Sequence, residues 1–132
     1  MRQGRGALPP GPPEYLGQEE GRNVSGAAAA ESIKAEIRAR IAAEIASAAP
    51  GGDPVRAREL AAFEAAVIEP FPTTVNFSGG FQQTCWSVTR SDGAYRVVYM
   101  PKAEYFALTV ESDFGPLDIG VHGPAMGCFA SV

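Results

Sequence analysis

Residues 82–100 read QQTCWSVTRSDGAYRVVYM, and this stretch decides the fold. Apolar side chains alternate with polar ones on both sides of Asp92-Gly93, a dipeptide typical of a two-residue type I′ turn. A turn of this length fixes the strand pairing and places Trp86 directly opposite Tyr99. The stretch therefore predicts an antiparallel β-hairpin with a defined register.

The predicted hairpin has two unequal faces, because alternate residues of a strand share one side. The more apolar face is assigned to the core beneath the helices and comprises Trp86, Val88, Arg90, Tyr95, Val97 and Tyr99. The opposite face is expected to point outward and comprises Cys85, Ser87, Thr89, Arg96, Val98 and Met100. Its apolar members, Cys85, Val98 and Met100, could then mediate homodimerisation.

The period of two continues on both sides of the hairpin. It predicts a short strand at 74–77 before the hairpin and strands at 106–110 and 117–121 after it. A turn at 123–127 and a last edge strand at 128–132 complete the pattern, so the sheet is expected to have five or six strands. The connections are short, which indicates an antiparallel β-meander.

Two helices are predicted before the sheet, at about 26–49 and 54–69. Isoleucine recurs at every fourth position from Ile33 to Ile45, the spacing of an apolar stripe along a helix. Asp53-Pro54 indicates the start of the second helix, with aspartate as N-cap and proline in the first turn. Pro70 and Pro72 predict its end near residue 69. The short linker between the helices indicates a helical hairpin.

The N-terminal segment 1–25 is rich in glycine and proline and poor in aliphatic residues, so we expect a flexible arm. Residues 26–132 are expected to form a single domain. The complete prediction is an α+β fold in which an N-terminal helical hairpin packs on one face of a five- or six-stranded antiparallel β-meander.

Composition and charge narrow the classes of function. The chain has 132 residues, a formal net charge of −4 and a pI near 5.0, which argues against a nucleic-acid partner, because phosphates attract basic surfaces. No secretory signal is visible and no apolar run reaches the ~20 residues of a membrane span, so we expect a cytoplasmic protein that binds no membrane. The two cysteines form no CxxC pair and there is one histidine, so neither a metal nor a cofactor is expected.

Two catalytic arrangements can be drawn from the sequence, and both need His122. It could form a dyad with Asp118, but a regular strand holds residues four positions apart at roughly 13 Å, so the dyad requires a bulge at Gly120. Alternatively, Cys85 or Cys128 could be a thiolate that His122 activates. An open sheet face offers no oxyanion hole, so unreactive cysteines are the favoured interpretation.

An aromatic pocket is the remaining candidate site. Trp86, Tyr95 and Tyr99 share the face beneath the helices and could line a ligand pocket, with Arg90 and His122 as its polar groups. The favoured interpretation is that the same rings fill an ordinary core, with the tyrosine hydroxyls reaching solvent. The sequence does not decide between a filled core and an open pocket.

Two functions of different classes stay open. The first is a small, acidic, cytoplasmic protein-interaction module without catalytic activity, which binds another protein as an accessory or neutralising partner. The alternative is a small-molecule-binding protein or cofactor-free enzyme with an aromatic-lined pocket between sheet and helices. The first is favoured, because the sequence contains no recognisable catalytic constellation.

Overall fold

The computed structural model describes residues 14–91 and 93–132, with the side chains of 26–91 and 93–132. The chain divides into two compact units, Met1–Ala35 and Glu36–Val132. Helix α1 spans Glu14–Ser47 and thus starts before the predicted residue 26. Strong helix formers such as Leu16 and Gln18 extend it in the N-terminal direction. Residues 1–13 of the predicted arm lie outside the described residues, and the flexibility of the arm stays a prediction.

Helix α2 spans Pro54–Ala66 and begins where the sequence predicts. The Asp53 carboxylate accepts hydrogen bonds from the backbone N–H groups of Val55, at 3.0 Å, and Arg56, at 3.4 Å. These bonds satisfy two of the amides that a helix start leaves without partners. The helix ends at Ala66 rather than at residue 69, because the chain is already extended at Val67.

Strand β1 spans Val67–Phe77 and starts earlier than the predicted residue 74. It contains Pro70 and Pro72, both of which were expected to lie before the strand. Pro70 lies in an irregular part of the pairing with strand β2 (Phe81–Thr89). In a strand, the backbone N–H groups of alternate residues point to the same side. The backbone N of Pro72 therefore points to the same side as the N–H of Asn76, which donates to the Pro116 carbonyl oxygen and not to β2. Pro72 therefore removes no bond between β1 and β2.

The other strands follow β1 as an antiparallel meander, which confirms the predicted α+β class. They are β2 (Phe81–Thr89), β3 (Tyr95–Met100), β4 (Tyr105–Val110) and β5 (Leu117–Gly123). The sheet closes on itself, because Asn76 in β1 pairs in parallel with Leu117 in β5. The Asn76 side chain donates to the carbonyl oxygens of Phe114, at 2.9 Å, and Pro116, at 3.2 Å. Asn76 thus secures the seam of the closed sheet.

The register of the central hairpin agrees with the prediction, because Trp86 pairs with Tyr99. Asp92 lies outside the described residues, but Gly93 has a φ of 66°, the left-handed conformation that a type I′ turn requires. Nearer the turn, a side chain replaces the backbone partner: the Thr89 hydroxyl accepts from the Val97 N–H at 3.1 Å. The buried Thr89 is therefore satisfied within the sheet.

The face of the hairpin that was expected to point outward lies inside the closed sheet, so that prediction is wrong. Val75, Cys85, Val98, Met100 and Ala107 form a buried cluster in which no side chain is more than 6% exposed. Closure covers this face, which an open sheet would leave in water. Cys85, Val98 and Met100 are consequently not available for homodimerisation.

The other end of the same face is polar. The hydroxyls of Thr73 and Ser87 lie 2.5 Å apart, and Ser87 also accepts from Arg96 Nη1 at 3.2 Å. Arg96 Nε lies 3.1 Å from a carboxylate oxygen of Glu111. These contacts let polar side chains share a face with the apolar cluster.

The helix-facing side of the sheet is buried as well. Trp86 and Leu108 are at most 6% exposed, and on α1 Ile37 and Ile41 are at most 5% exposed. The predicted isoleucine stripe therefore lies on the buried side of α1 at Ile37 and Ile41. Hydrophobic burial on both faces of the sheet accounts for its apolar strands.

A short helix, α3 (Ala125–Phe129), follows β5. The sequence pattern predicts an edge strand at 128–132 instead. That prediction is wrong, and the described sheet has five strands. Pro124 is extended and precedes a segment in which Ala125 and Cys128, three residues apart, are both buried. This is a helical rather than a strand spacing. Among the described residues, no helix combines the length and the apolar character that crossing a membrane requires.

Candidate functional site

The five residues predicted to bind a ligand do not form one pocket. Trp86 and Tyr99 are paired neighbours and are buried, at 6% and 1% exposure. Tyr95 and Arg90 lie at the opposite end of the hairpin, beside a cavity of only about 10 Å³. A water molecule needs at least ~10–15 Å³ of such space, so this cavity admits at most one. His122 lies on strand β5 and is exposed.

Tyr99 is the centre of a clamp between α1 and the sheet. Its hydroxyl donates to the Glu36 carboxylate, which also accepts from Arg40 Nε at 3.1 Å. The Arg40 guanidinium lies over the Tyr99 ring, 5.5 Å from its centroid, and reaches the carbonyl oxygen of Glu104 at 3.4 Å. Burial, and then the bond to Glu36, raise the pKa of Tyr99 to about 12, and the same bond is the main cause that lowers the pKa of Glu36. These partners give Tyr99 a structural role.

His122 and Asp118 form the pair that the sequence allowed only with a bulge. Gly120 has a φ of 82°, and the pairing of β5 with β4 shifts its register at this point. The shift brings His122 Nε2 to 2.9 Å from Asp118 Oδ1. On its other side the imidazole stacks on Tyr105, with 5.1 Å between ring centroids. The bulge that the dyad requires is therefore present at Gly120. The His122 imidazole lies between the Tyr105 ring and the Asp118 carboxylate.

Neither cysteine is prepared for nucleophilic chemistry. Cys85 and Cys128 are free thiols, buried to 0% and 1% exposure. Burial raises the pKa of each thiol to about 11, and the negative charge of Asp118 acts in the same direction. Cys128 Sγ lies 3.7 Å from the Val121 carbonyl oxygen, which accepts its weak hydrogen bond. At neutral pH both side chains are therefore thiols and not thiolates.

We expect slow alkylation of both cysteines in the folded protein. Raising a thiol pKa from 9.0 to about 11 lowers the thiolate fraction at neutral pH about a hundredfold, and burial slows the reagent further. The measurement is the iodoacetamide reaction followed by mass spectrometry, with the chain in urea as control. Native alkylation within about tenfold of the urea rate would contradict this account of both thiols.

An open groove of about 670 Å³ lies between the C-terminal part of α1, helix α2 and helix α3. Val55 and Phe63 on α2 contribute apolar lining, as do Met126, Phe129 and Val132 from the C-terminal segment. Val55 and Val132 are 52% and 58% exposed, whereas Phe63 is fully buried. Phe63 packs edge-on against Phe129, with 5.6 Å between ring centroids. The groove therefore combines a packed aromatic base with accessible apolar side chains.

The charged lining of the groove is mainly acidic. Among the described residues that line it, Glu44, Asp53 and Glu59 contribute carboxylates, and Arg56 contributes the one guanidinium. Glu59 and Asp53 are exposed and Glu44 is half-buried. The groove thus presents negative charge beside apolar side chains, a combination that attracts groups of opposite charge.

Glu44 holds helix α3 in place as a wall of the groove. Its two carboxylate oxygens accept hydrogen bonds from the backbone N–H groups of Ala125, at 2.8 Å, and Met126, at 2.9 Å. These are amides of the first turn of α3, and Pro124 at the N-cap provides no side-chain bond to them. A carboxylate at a helix start satisfies such amides and also interacts favourably with the helix dipole.

We expect Glu44→Ala to destabilise the protein by about 1.5–3 kcal/mol, the usual contribution of hydrogen bonds to a charged group. The measurement is urea unfolding followed by circular dichroism. Glu64→Ala is the matched control, because Glu64 is exposed on α2. Equal free energies of unfolding for the two variants would contradict the capping role.

The groove is not predicted by the sequence pattern, which indicates a turn at 123–127 and a strand at 128–132. One signal was present: Ala125, Cys128 and Phe129 are spaced three and four residues apart, directly after Pro124. Proline before an apolar helical spacing is a sign of a helix start.

A second exposed apolar surface lies at the seam of the sheet. Phe114, Phe81 and Leu117 are 87%, 67% and 38% exposed, and we call these three residues the seam patch. Asn76 joins their segments, because it donates to the Phe114 carbonyl oxygen and accepts from Gln82 Nε2 at 2.9 Å. The seam patch thus provides an apolar surface for comparison with the groove.

Comparisons of this chain with protein-family models, with curated proteins and with solved structures find no significant match.

Proposed function

We propose that this chain is a non-catalytic protein-interaction module that binds a partner protein through the groove between α1, α2 and α3. The observation that carries the proposal is the groove itself, with about 670 Å³ of open space and both apolar and acidic lining. A groove with partially exposed valines above packed aromatic rings resembles the pockets of protein interfaces, in which anchor side chains of the partner are removed from water.

The lining chemistry favours binding over catalysis. His122, Asp118 and the two cysteines all lie outside the groove lining. The carboxylates of Glu44 and Asp53 are occupied by backbone amides of α3 and α2. Groups that are engaged in helix capping support a fixed surface, not proton transfer to a substrate.

The proposal includes a cytoplasmic setting and a partner that is another protein. Free, buried thiols are compatible with a reducing compartment. The net charge of −4 favours protein over nucleic acid as a partner. A homodimer that forms through the groove is a special case of the same proposal. It would replace the homodimer through Cys85, Val98 and Met100, which are buried.

Site-specific photo-crosslinking in a lysate of the native host tests this proposal. A photoreactive amino acid replaces Val55 in the groove or, as the matched control, the exposed Thr84 on β2. We expect one protein to be crosslinked from position 55 and not from position 84, and mass spectrometry identifies it. The purified partner should then bind Val55→Arg at least about tenfold more weakly than Thr84→Arg, because the arginine fills the groove. Equal crosslinking from both positions, or equal affinities, would contradict the proposal.

A small-molecule ligand in the same groove is the second candidate. The volume of about 670 Å³ lies within the ~300–1,000 Å³ of ligand pockets. Trp86 and Tyr99 would not contact a ligand in this groove, because they are buried and lie outside its lining. Native mass spectrometry of the protein purified from its host would show a bound small molecule in the wild-type chain and its loss in Val55→Arg.

A further inference from the structure

We propose that the partner segment is basic and amphipathic, with lysine or arginine side chains beside at least two aliphatic or aromatic ones. This inference rests on the proposed function, since it specifies what the groove binds. Its basis is the combination of acidic and exposed apolar side chains that line the groove. No catalytic or cofactor chemistry is involved.

Glu59 and Asp53 provide exposed negative charge at the groove. Both are exposed at the groove, so their charges are in contact with solvent and with an approaching partner. Together with Glu44 they outnumber Arg56, the one cationic side chain among the described residues of the lining. A segment carrying negative charge would therefore meet net repulsion. Opposite charges at such a rim mainly increase the association rate and are weakened by salt.

Two exposed valines provide an apolar contact surface in the groove. Val55 and Val132 are 52% and 58% exposed over the base formed by Phe63 and Phe129. A partner gains affinity by removing these side chains from water, at about 25 cal/mol per Å². A purely polar basic segment lacks this contribution, so the partner must also carry apolar anchors.

Two synthetic peptides test the inference by fluorescence anisotropy. The first has lysines on one face and leucines on the other, and the second has every lysine replaced by glutamate. We expect the lysine peptide to bind the full chain at least about tenfold more tightly than the glutamate peptide at low salt. Its affinity should fall as the salt concentration rises.

A charge reversal locates the binding. Glu59→Lys should weaken the lysine peptide about three- to tenfold and strengthen the glutamate peptide. Glu64→Lys on the same helix makes the same change in net charge outside the groove lining, and should alter either affinity less than about twofold. Circular dichroism confirms that both variants are folded. A third variant, Val55→Ser, should weaken the lysine peptide without changing its salt dependence.

Equal binding of the two peptides, no binding of either, or equal effects of Glu59→Lys and Glu64→Lys would overturn the inference. These failures are distinct from failure of the proposed function. If position 55 crosslinks a partner while the peptides bind alike, the interaction module stands and its basic partner does not. If position 55 crosslinks no protein, the proposed function fails as well.

Discussion

Val98→Asp is expected to abolish the folded state. Val98 is fully buried inside the closed sheet in an apolar cluster with Val75, Cys85, Met100 and Ala107. Its cross-strand neighbour Ser87 is already bonded to Thr73 and Arg96. An ion transferred to such surroundings costs several kcal/mol, a large part of the about 5–15 kcal/mol that stabilises a typical domain. We expect loss of the cooperative unfolding transition in circular dichroism and loss of dispersed amide signals in NMR spectra.

Thr84→Asp is the control for this experiment. Thr84 is exposed on β2, in the same sheet, so its replacement should change the free energy of unfolding by no more than about 0.5 kcal/mol. If Val98 instead pointed outward, Val98→Asp would fold normally and merely reduce self-association. A folded Val98→Asp variant would therefore contradict the closed sheet.

Phe63→Ala is expected to cost about 3–5 kcal/mol of stability, the usual range for a buried phenylalanine. Phe63 is 0% exposed and makes an edge-to-face contact with Phe129 at an interplanar angle of 66°. The substitution removes this ring contact, which typically contributes about 0.5–1.5 kcal/mol beyond burial. It also leaves a cavity beneath the groove. Urea unfolding followed by circular dichroism measures the change.

Val55→Ala on the same helix is the control for Phe63→Ala. Val55 is 52% exposed, so we expect a change within about 0.5 kcal/mol. The comparison separates the packed base of the groove from its accessible wall. A loss below about 1 kcal/mol for Phe63→Ala would contradict the description of α2 and α3 as tightly packed.

The local signals in the sequence predicted local structure correctly. Asp53-Pro54 predicted the start of α2, and the capping bonds of Asp53 confirm it. Asp92-Gly93 predicted a register that the pairing of Trp86 with Tyr99 confirms. In both places a short motif determines the backbone geometry over a few residues, without help from distant parts of the chain.

The closure of the sheet could not be predicted in the same way. It depends on Asn76 and Leu117, which are far apart in sequence and carry no pairing motif. Closure also reversed the assignment of Val98, because both hairpin faces contain apolar residues and both are buried. Alternation shows which side chains share a face, but it does not show what covers that face.

The candidate site escaped prediction for a related reason. The groove is formed by residues from α1, α2 and α3, and the contact of Glu44 with Ala125 spans most of the folded unit. The residues predicted to bind a ligand were chosen for their side-chain type, such as the aromatic ring of Trp86 and the imidazole of His122. That those residues bind a ligand stays a prediction. The contact between His122 and Asp118 required a bulge in the strand, and the structure contains both the bulge and the contact.

The most direct test of the groove as the binding surface is an amide NMR titration of the labelled chain with the lysine peptide. We expect chemical-shift changes that saturate with added peptide and concentrate at residues 53–63 and 124–132, on α2 and around α3. Changes that concentrate instead at the seam patch, or along β5 near His122, would contradict this expectation.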